Sequence, residues 1–336
     1  MFGAFRTSLA MVVAFSHLSG AIGFSAAYAV YGFYVLSGFI MARIVHETYG
    51  FHPRGFAHFL LNRFLRIYPL YWMGCLATLL LIACFGSDAA RSFHRNFIWP
   101  EDIGSIARAV MNWYFWPDDD SHLVPPSWAV AVEFFFYILI GLGLGRDRRL
   151  ALAWLAASVV YHVVAFTLGW DRYYSIWSAS LAFSLGVAIW HFRSELLAIF
   201  GGDSLRVAVL ASAMAGLCSI TPNTTWRPDT TPFYASVLIC GLLVVMLSAA
   251  DRRFEAIDDW LGRLSYPIYI FHYHVGMATC AMVGLPNRSP LTFFVALPFL
   301  LVVSAFAAVV QFHTVDKWRA VVRHRAVMPG HCVRRP

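Results

Sequence analysis

Long apolar runs alternate with short polar clusters along the whole chain. Most runs are about 17–25 residues, the length that carries a helix across a hydrocarbon core of roughly 30 Å. Ten are predicted, at about 5–23, 25–45, 67–85, 126–145, 150–168, 175–192, 204–221, 232–249, 264–284 and 291–312. The one long break, 86–125, contains Trp99-Pro100, Trp113, Trp116-Pro117, Asp118-Asp119-Asp120 and Pro125-Pro126. Its aromatics suit a membrane interface, and it has room for a short surface or re-entrant helix. The pattern predicts an all-α, polytopic membrane helix bundle over residues 1–315, with an external loop at 86–125 and a basic cytoplasmic tail over 316–336.

Composition agrees with the pattern. Of 336 residues, 60% are hydrophobic and 13% charged, against about 25% charged in an ordinary soluble domain. The net charge of +7 would suit nucleic acid, but the basic residues sit at the ends of apolar runs rather than on one stripe, so no nucleic-acid partner is expected. Topology explains them: with both termini cytoplasmic, only Arg91, Arg95, Arg108, Arg172, Arg227 and Arg288 lie outside, and the other 19 of the 25 Lys and Arg lie inside. The expected location is the inner membrane, in a multi-pass arrangement among lipid. The first run imitates a secretory signal, but cleavage would discard His17, and the next run follows at once, as in a retained hairpin. Cys75, Cys84, Cys218, Cys240 and Cys280 fall in apolar runs without ligand spacing, so neither a disulfide framework nor a metal site is expected.

Candidate chemistry begins in the first helix. Arg6 and His17 are eleven residues apart, about 20° beyond three full turns, so they share a face with roughly 16 Å between them. Arg6 then lies at the cytoplasmic surface and His17 deep in the apolar layer, where an ionisable group is costly and usually marks a function. Glu133 enters from the opposite side and, counted from the end of the external loop, reaches a similar depth. A carboxylate beside the imidazole would fix its tautomer and support it as a general base. On the cytoplasmic side Arg63 and Arg66, at i and i+3, form a fork that suits phosphates; a purely topogenic cluster is the alternative. Ser37 and Gly38 permit close approach by a helix or a thin ligand chain. Ser265, Tyr269 and His272 make a polar stripe in the ninth run, in a lining or a packing role.

Five segments, taken in order, resemble the membrane acyltransferase type 3 family, whose members acylate sugars and other extracytoplasmic molecules. They are Arg6 to His17 with ten residues between, FYVLSGFI, NRFLRIYPLYW, PSWAVAVEFFFY and LGRLSYPIYIFHYHV. The resemblance implies an O-acyltransferase with an acyl-CoA donor inside, most simply acetyl-CoA and alternatively succinyl-CoA, and a carbohydrate acceptor outside, such as an exopolysaccharide or lipopolysaccharide. No metal is expected. It implies Arg6 and His17 as essential residues and Arg63 and Arg66 at the donor; expected beside them are Glu133 as a catalytic residue, Ser37 and Gly38 around the donor, and Ser127, Trp128, Tyr269 and His272 lining the substrate path. Association with a glycan assembly or export system would follow. Two departures stand out: the family's serine-leucine-serine step is Ala129-Val130-Ala131, and its late Glu-Pro pair is Asp316-Lys317.

His17 then serves either as the base that takes the acceptor's proton or as a covalent acyl relay, and both routes use the same residues. The rival reading is a proton-coupled transporter or flippase of a sugar-lipid or small molecule, since intramembrane His, Glu and Arg also build proton relays. It predicts inverted repeats and paired broken helices, which the sequence does not show.

Overall fold

The computed structural model describes residues 2–21, 25–113, 123–201, 203–220, 231–249 and 254–326. Every described element is helical: α1 (Phe2–Ser19), α2 (Ser25–Ile44) with a π-helical turn at Val45–Tyr49, α3 (Pro53–Phe85), α4 (Ser87–Phe93), α5 (Ile103–Met111), α6 (Ser127–Gly141), α7 (Arg148–Leu168), α8 (Ile176–His191), α9 (Arg193–Phe200), α10 (Ser204–Ile220), α11 (Thr231–Leu247), α12 (Glu255–Val283), α13 (Pro290–His313) and α14 (Val315–Ala326). Each of the ten predicted runs falls on one of these helices. Among the described residues, four are long and apolar enough to cross a membrane: α2 with its π turn, α3, α7 and α13. A fifth is added if α8 and α9, bent by 86°, count as one span. Helices α6 and α11 are apolar but shorter.

Local chemistry sets the helix ends. His52 accepts from the Gly55 N–H, with Pro53 in the first turn, to start α3; Ser289 does the same for Thr292, with Pro290, to start α13. Gly169 and Gly284, at φ +69° and +71°, end α7 and α12 in the left-handed region that glycine enters without a Cβ penalty.

Small residues set the closest helix contacts. Helix α2 lies on α8 through Gly38 and Gly186: a Cβ at Gly38 would meet the Phe183 carbonyl oxygen at 2.3 Å, and one at Gly186 the Val35 oxygen at 2.1 Å. Helix α1 lies on α12 through Gly3 and Gly262, whose added Cβ would stand 3.0 Å from the Gly3 Cα. Asp258 of α12 accepts from the Gly3 and Ala4 N–H groups at 2.9 Å each, and Thr7 donates to the Leu261 carbonyl. The open N–H groups and positive end of α1 thus find a carboxylate on its neighbour.

The long break folds back along α3 rather than lying over the bundle. Tyr68, Tyr71 and Trp72 donate to the carbonyls of Met111, Ala109 and Val110. Three carbonyls in the last turn of α5, of which that of Ala109 also accepts from the Asn112 N–H, thereby receive donors from three side chains of α3. Trp72 lies thirteen residues before Phe85, so the end of α5 sits roughly 20 Å along α3 from that helix's outer end. Where the break rejoins the bundle, Thr78 donates to the Leu123 carbonyl and the Asn112 amide to that of Ser127. Among its described residues the break holds two short helices, α4 and α5; its Trp116-Pro117 and Asp118-Asp119-Asp120 lie outside the described residues.

The segment read as a tail begins as helix. Helix α14 packs on α3, with the Asn62 amide donating to the Arg319 carbonyl at 3.1 Å and Arg319 bonded in turn to Asp316. Residues 327–336 lie outside the described residues.

Candidate functional site

A cavity of about 840 Å³ lies among the N-terminal halves of α1, α3 and α12, the C-terminal half of α2, and helices α6 and α14. Its lining brings together Arg6, Arg43, Arg63, Arg66, Arg263, Arg319 and Arg323 with Glu47, Glu133, Glu255, Asp258, Asp259 and Asp316. The acids are partly committed elsewhere. Asp258 holds the start of α1, Glu47 lies 3.7 Å from Arg43, and Asp316 pairs with Arg319. Burial, together with the neighbouring Arg66, pulls the Arg319 guanidinium down to about 10, so it stays charged at neutral pH. Glu133 accepts from the Ser37 hydroxyl and from Tyr137, one turn on in α6.

Among the described residues, Arg6 and Arg66 make no ion pair and no side-chain hydrogen bond, though both line the cavity. Arg63 is only 9% exposed; its Nη2 donates to Asn62 at 2.7 Å, and its Nε has no partner. A buried guanidinium N–H left unbonded costs about 1–3 kcal/mol or more, a cost that a bound anion removes. Two helices, α1 and α3, thus hold arginines toward one space with donors free. That arrangement suits a ligand with several phosphate charges.

His17 lies beyond this cavity, eleven residues up α1 from Arg6. Its Nδ1 is 3.0 Å from Nε2 of His272 on α12. The Tyr273 ring lies over His17 at 4.9 Å with planes 23° apart, and His94 packs against Tyr273 at 4.7 Å. Tyr269 lines the cavity and stands three residues below His272, roughly 4.5 Å along α12. Its ring meets that of Phe33 edge-on at 6.0 Å, and its hydroxyl donates to the Pro126 carbonyl. Tyr269 and Phe33 are therefore the side chains between the arginines and the histidines.

The expected site residues separate into groups. Arg6, Arg63, Arg66, Ser37, Glu133 and Tyr269 meet at the cavity. His17 and His272 meet each other, neither lining it. Glu133 does not reach His17 as expected. Helix α6 begins at the level of Tyr269, where Pro126 accepts the tyrosine hydroxyl, rather than at the outer surface. Counting down from the loop end therefore put Glu133 too far out, and it belongs to the arginine end. Gly38 faces the α8 backbone, so its space is taken by a helix and not by a ligand. Ser127 is fully buried and lies off the cavity lining, and Trp128 packs on Tyr173 and Tyr174. Sequence reading passed over Asn62, Tyr137, Tyr273 and Arg319. Of these, Tyr137 was signalled by its i+4 spacing from Glu133.

Residues 3–310 match the family model described as an acyltransferase domain. No curated protein and no solved structure matches the chain.

Proposed function

We propose that this chain, which belongs to the type 3 membrane acyltransferase family, moves an acyl group from a cytoplasmic acyl-CoA to a hydroxyl of an extracytoplasmic carbohydrate. Acetyl is the simplest group, with succinyl the alternative, and an exopolysaccharide or lipopolysaccharide is the acceptor. The observation that carries the reading is the placement of an arginine without a side-chain partner, Arg6, and a half-buried histidine, His17, at two levels of α1. Arg6 of α1 and Arg63 and Arg66 of α3 bind the phosphates of the donor. The pantetheine arm then passes Tyr269 and Phe33 and presents the thioester to His17.

At His17 the acceptor hydroxyl loses its proton to the imidazole as its oxygen attacks the thioester carbon. The carbon–sulfur bond breaks, the thiolate leaves with the electron pair, and the imidazolium returns the proton to sulfur. Glu133, bonded to Ser37 and Tyr137, holds α6 against α2. The bundle crosses the inner membrane ten times with both termini inside, residues 1–315 forming the catalytic unit and α14 lying on the cytoplasmic face beside the donor. A glycan assembly or export system delivers the acceptor.

The test is mass spectrometry of surface glycans from cells with and without the gene. Loss of one acyl mass from a glycan, restored by the wild-type gene, is the expected result. Glycans identical in both strains would overturn the carbohydrate acceptor.

A further inference from the structure

The two imidazoles at the upper level are not equivalent. His272 is 0% exposed, whereas His17 is only half-buried. Nδ1 of His272 lies 2.8 Å from the Tyr269 carbonyl oxygen, one turn back on α12. A carbonyl oxygen only accepts, so the proton of a neutral His272 sits on Nδ1 and its Nε2 is a bare lone pair. That lone pair faces Nδ1 of His17 at 3.0 Å. The ring centroids are 5.2 Å apart with planes 22° apart, so the nitrogens meet nearly within the ring planes, as an N–H and a lone pair do. Two bare nitrogens would repel at this distance, and His17 must therefore donate through Nδ1. The reverse arrangement needs an imidazolium at His272, a fully buried charge to which no carboxylate is bonded among the described residues.

We infer that His272 is a positioning residue that holds His17 as its Nδ1–H tautomer, leaving Nε2 of His17 as the nitrogen that takes the acceptor's proton. The inference rests on His17 acting as proposed above. Tyr273 over the His17 ring and His94 behind Tyr273 keep the ring from turning over. As Nε2 receives the proton, positive charge develops on His17 and its Nδ1–H bond to His272 becomes charge-assisted, which favours the transition state over the resting state. His272 itself neither gains nor loses a proton. It does for His17 what the buried acid does in a serine hydrolase, with a neutral acceptor that the apolar surroundings tolerate.

Nitrogen-15 NMR of purified protein labelled at histidine, with His17 assigned by comparison to His17→Gln, reads the tautomer directly in the folded wild type. A protonated Nδ1 and a bare Nε2 on His17 are expected; a protonated Nε2 on neutral His17 would overturn the inference. Kinetics provide the second arm. His272→Gln places an amide oxygen where Nε2 was and is expected to keep kcat within about ten-fold, while His272→Leu lowers it about 100-fold with the donor KM within about two-fold. Wild-type kcat in His272→Leu, or equal losses in the two variants at unchanged thermal stability, would count against it. Undiminished transfer by His17→Ala would instead overturn the proposed role of His17, whatever tautomer is found.

Discussion

The two ends of the seam between α1 and α12 are built on opposite rules. At the Arg6 end the charged groups face an open cavity, and the Arg6 and Arg66 side chains make no ion pair or hydrogen bond among the described residues. At the His17 end the polar groups are spent on one another, in a line from the Tyr269 carbonyl through His272 to His17, under the Tyr273 ring. Free donors at one end suit a ligand whose charge is supplied from outside. Tied donors at the other suit a reaction in which one nitrogen must point one way. Binding energy collected from the donor's phosphates at the first end can then be used to hold the thioester at the second.

Separate substitutions at the two ends sharpen this division. His17→Ala is expected to lower kcat about 1,000-fold in purified enzyme, the mid-range for loss of a general base; a loss under ten-fold would break the contrast at once. Replacing Arg63 or Arg66 by Ala removes charge-assisted bonds worth about 2 kcal/mol, so the donor KM should rise roughly 30-fold for each with kcat little changed. A fall in kcat at constant KM would move the arginines out of donor binding.

Stability substitutions away from the seam should leave the division untouched. Gly186→Ala puts a Cβ 2.1 Å from the Val35 oxygen and is expected to cost about 1–3 kcal/mol through forced separation of α2 and α8; unaltered thermal unfolding would contradict that packing. Tyr71→Phe removes the hydroxyl that satisfies the Ala109 carbonyl, a loss of about 1 kcal/mol. It should show as faster hydrogen exchange in α5 alone. The smallest effect is at Asp147, which caps α7. The backbone N–H groups of Leu150 and Arg149 hold its carboxyl below the usual carboxylate range. A lowered carboxylate contributes stability above its unfolded pKa and loses it as pH falls through the folded one. Wild type should therefore unfold at a higher temperature than Asp147→Ala at neutral pH, and the gap should close in acid.

Much of this was legible in the sequence, and the parts that were not have a common cause. The rise per residue fixed Arg6 and His17 on one face at two levels, and the ten apolar runs all became helices. Rise gives position along a helix and says nothing about which helix lies alongside. Glu133 was therefore given to His17, whereas α6 starts deep in the bundle and carries it to Ser37 and Tyr137. His272 was visible in a polar stripe, but its role depends on a contact 255 residues away in sequence. Asn62 and the Tyr68-Tyr71-Trp72 group stood in the segment NRFLRIYPLYW with no role of their own. They prove to dock α14 and α5, because open carbonyls and amides are settled by tertiary neighbours.

The most direct measurement is calorimetric binding of acetyl-CoA to purified wild type, His17→Ala and the Arg63→Ala, Arg66→Ala double variant, each also assayed for transfer. His17→Ala should bind the donor as wild type does and fail to transfer, while the double variant should lose binding. Loss of binding in His17→Ala, with binding intact in the double variant, would contradict the division between the two ends.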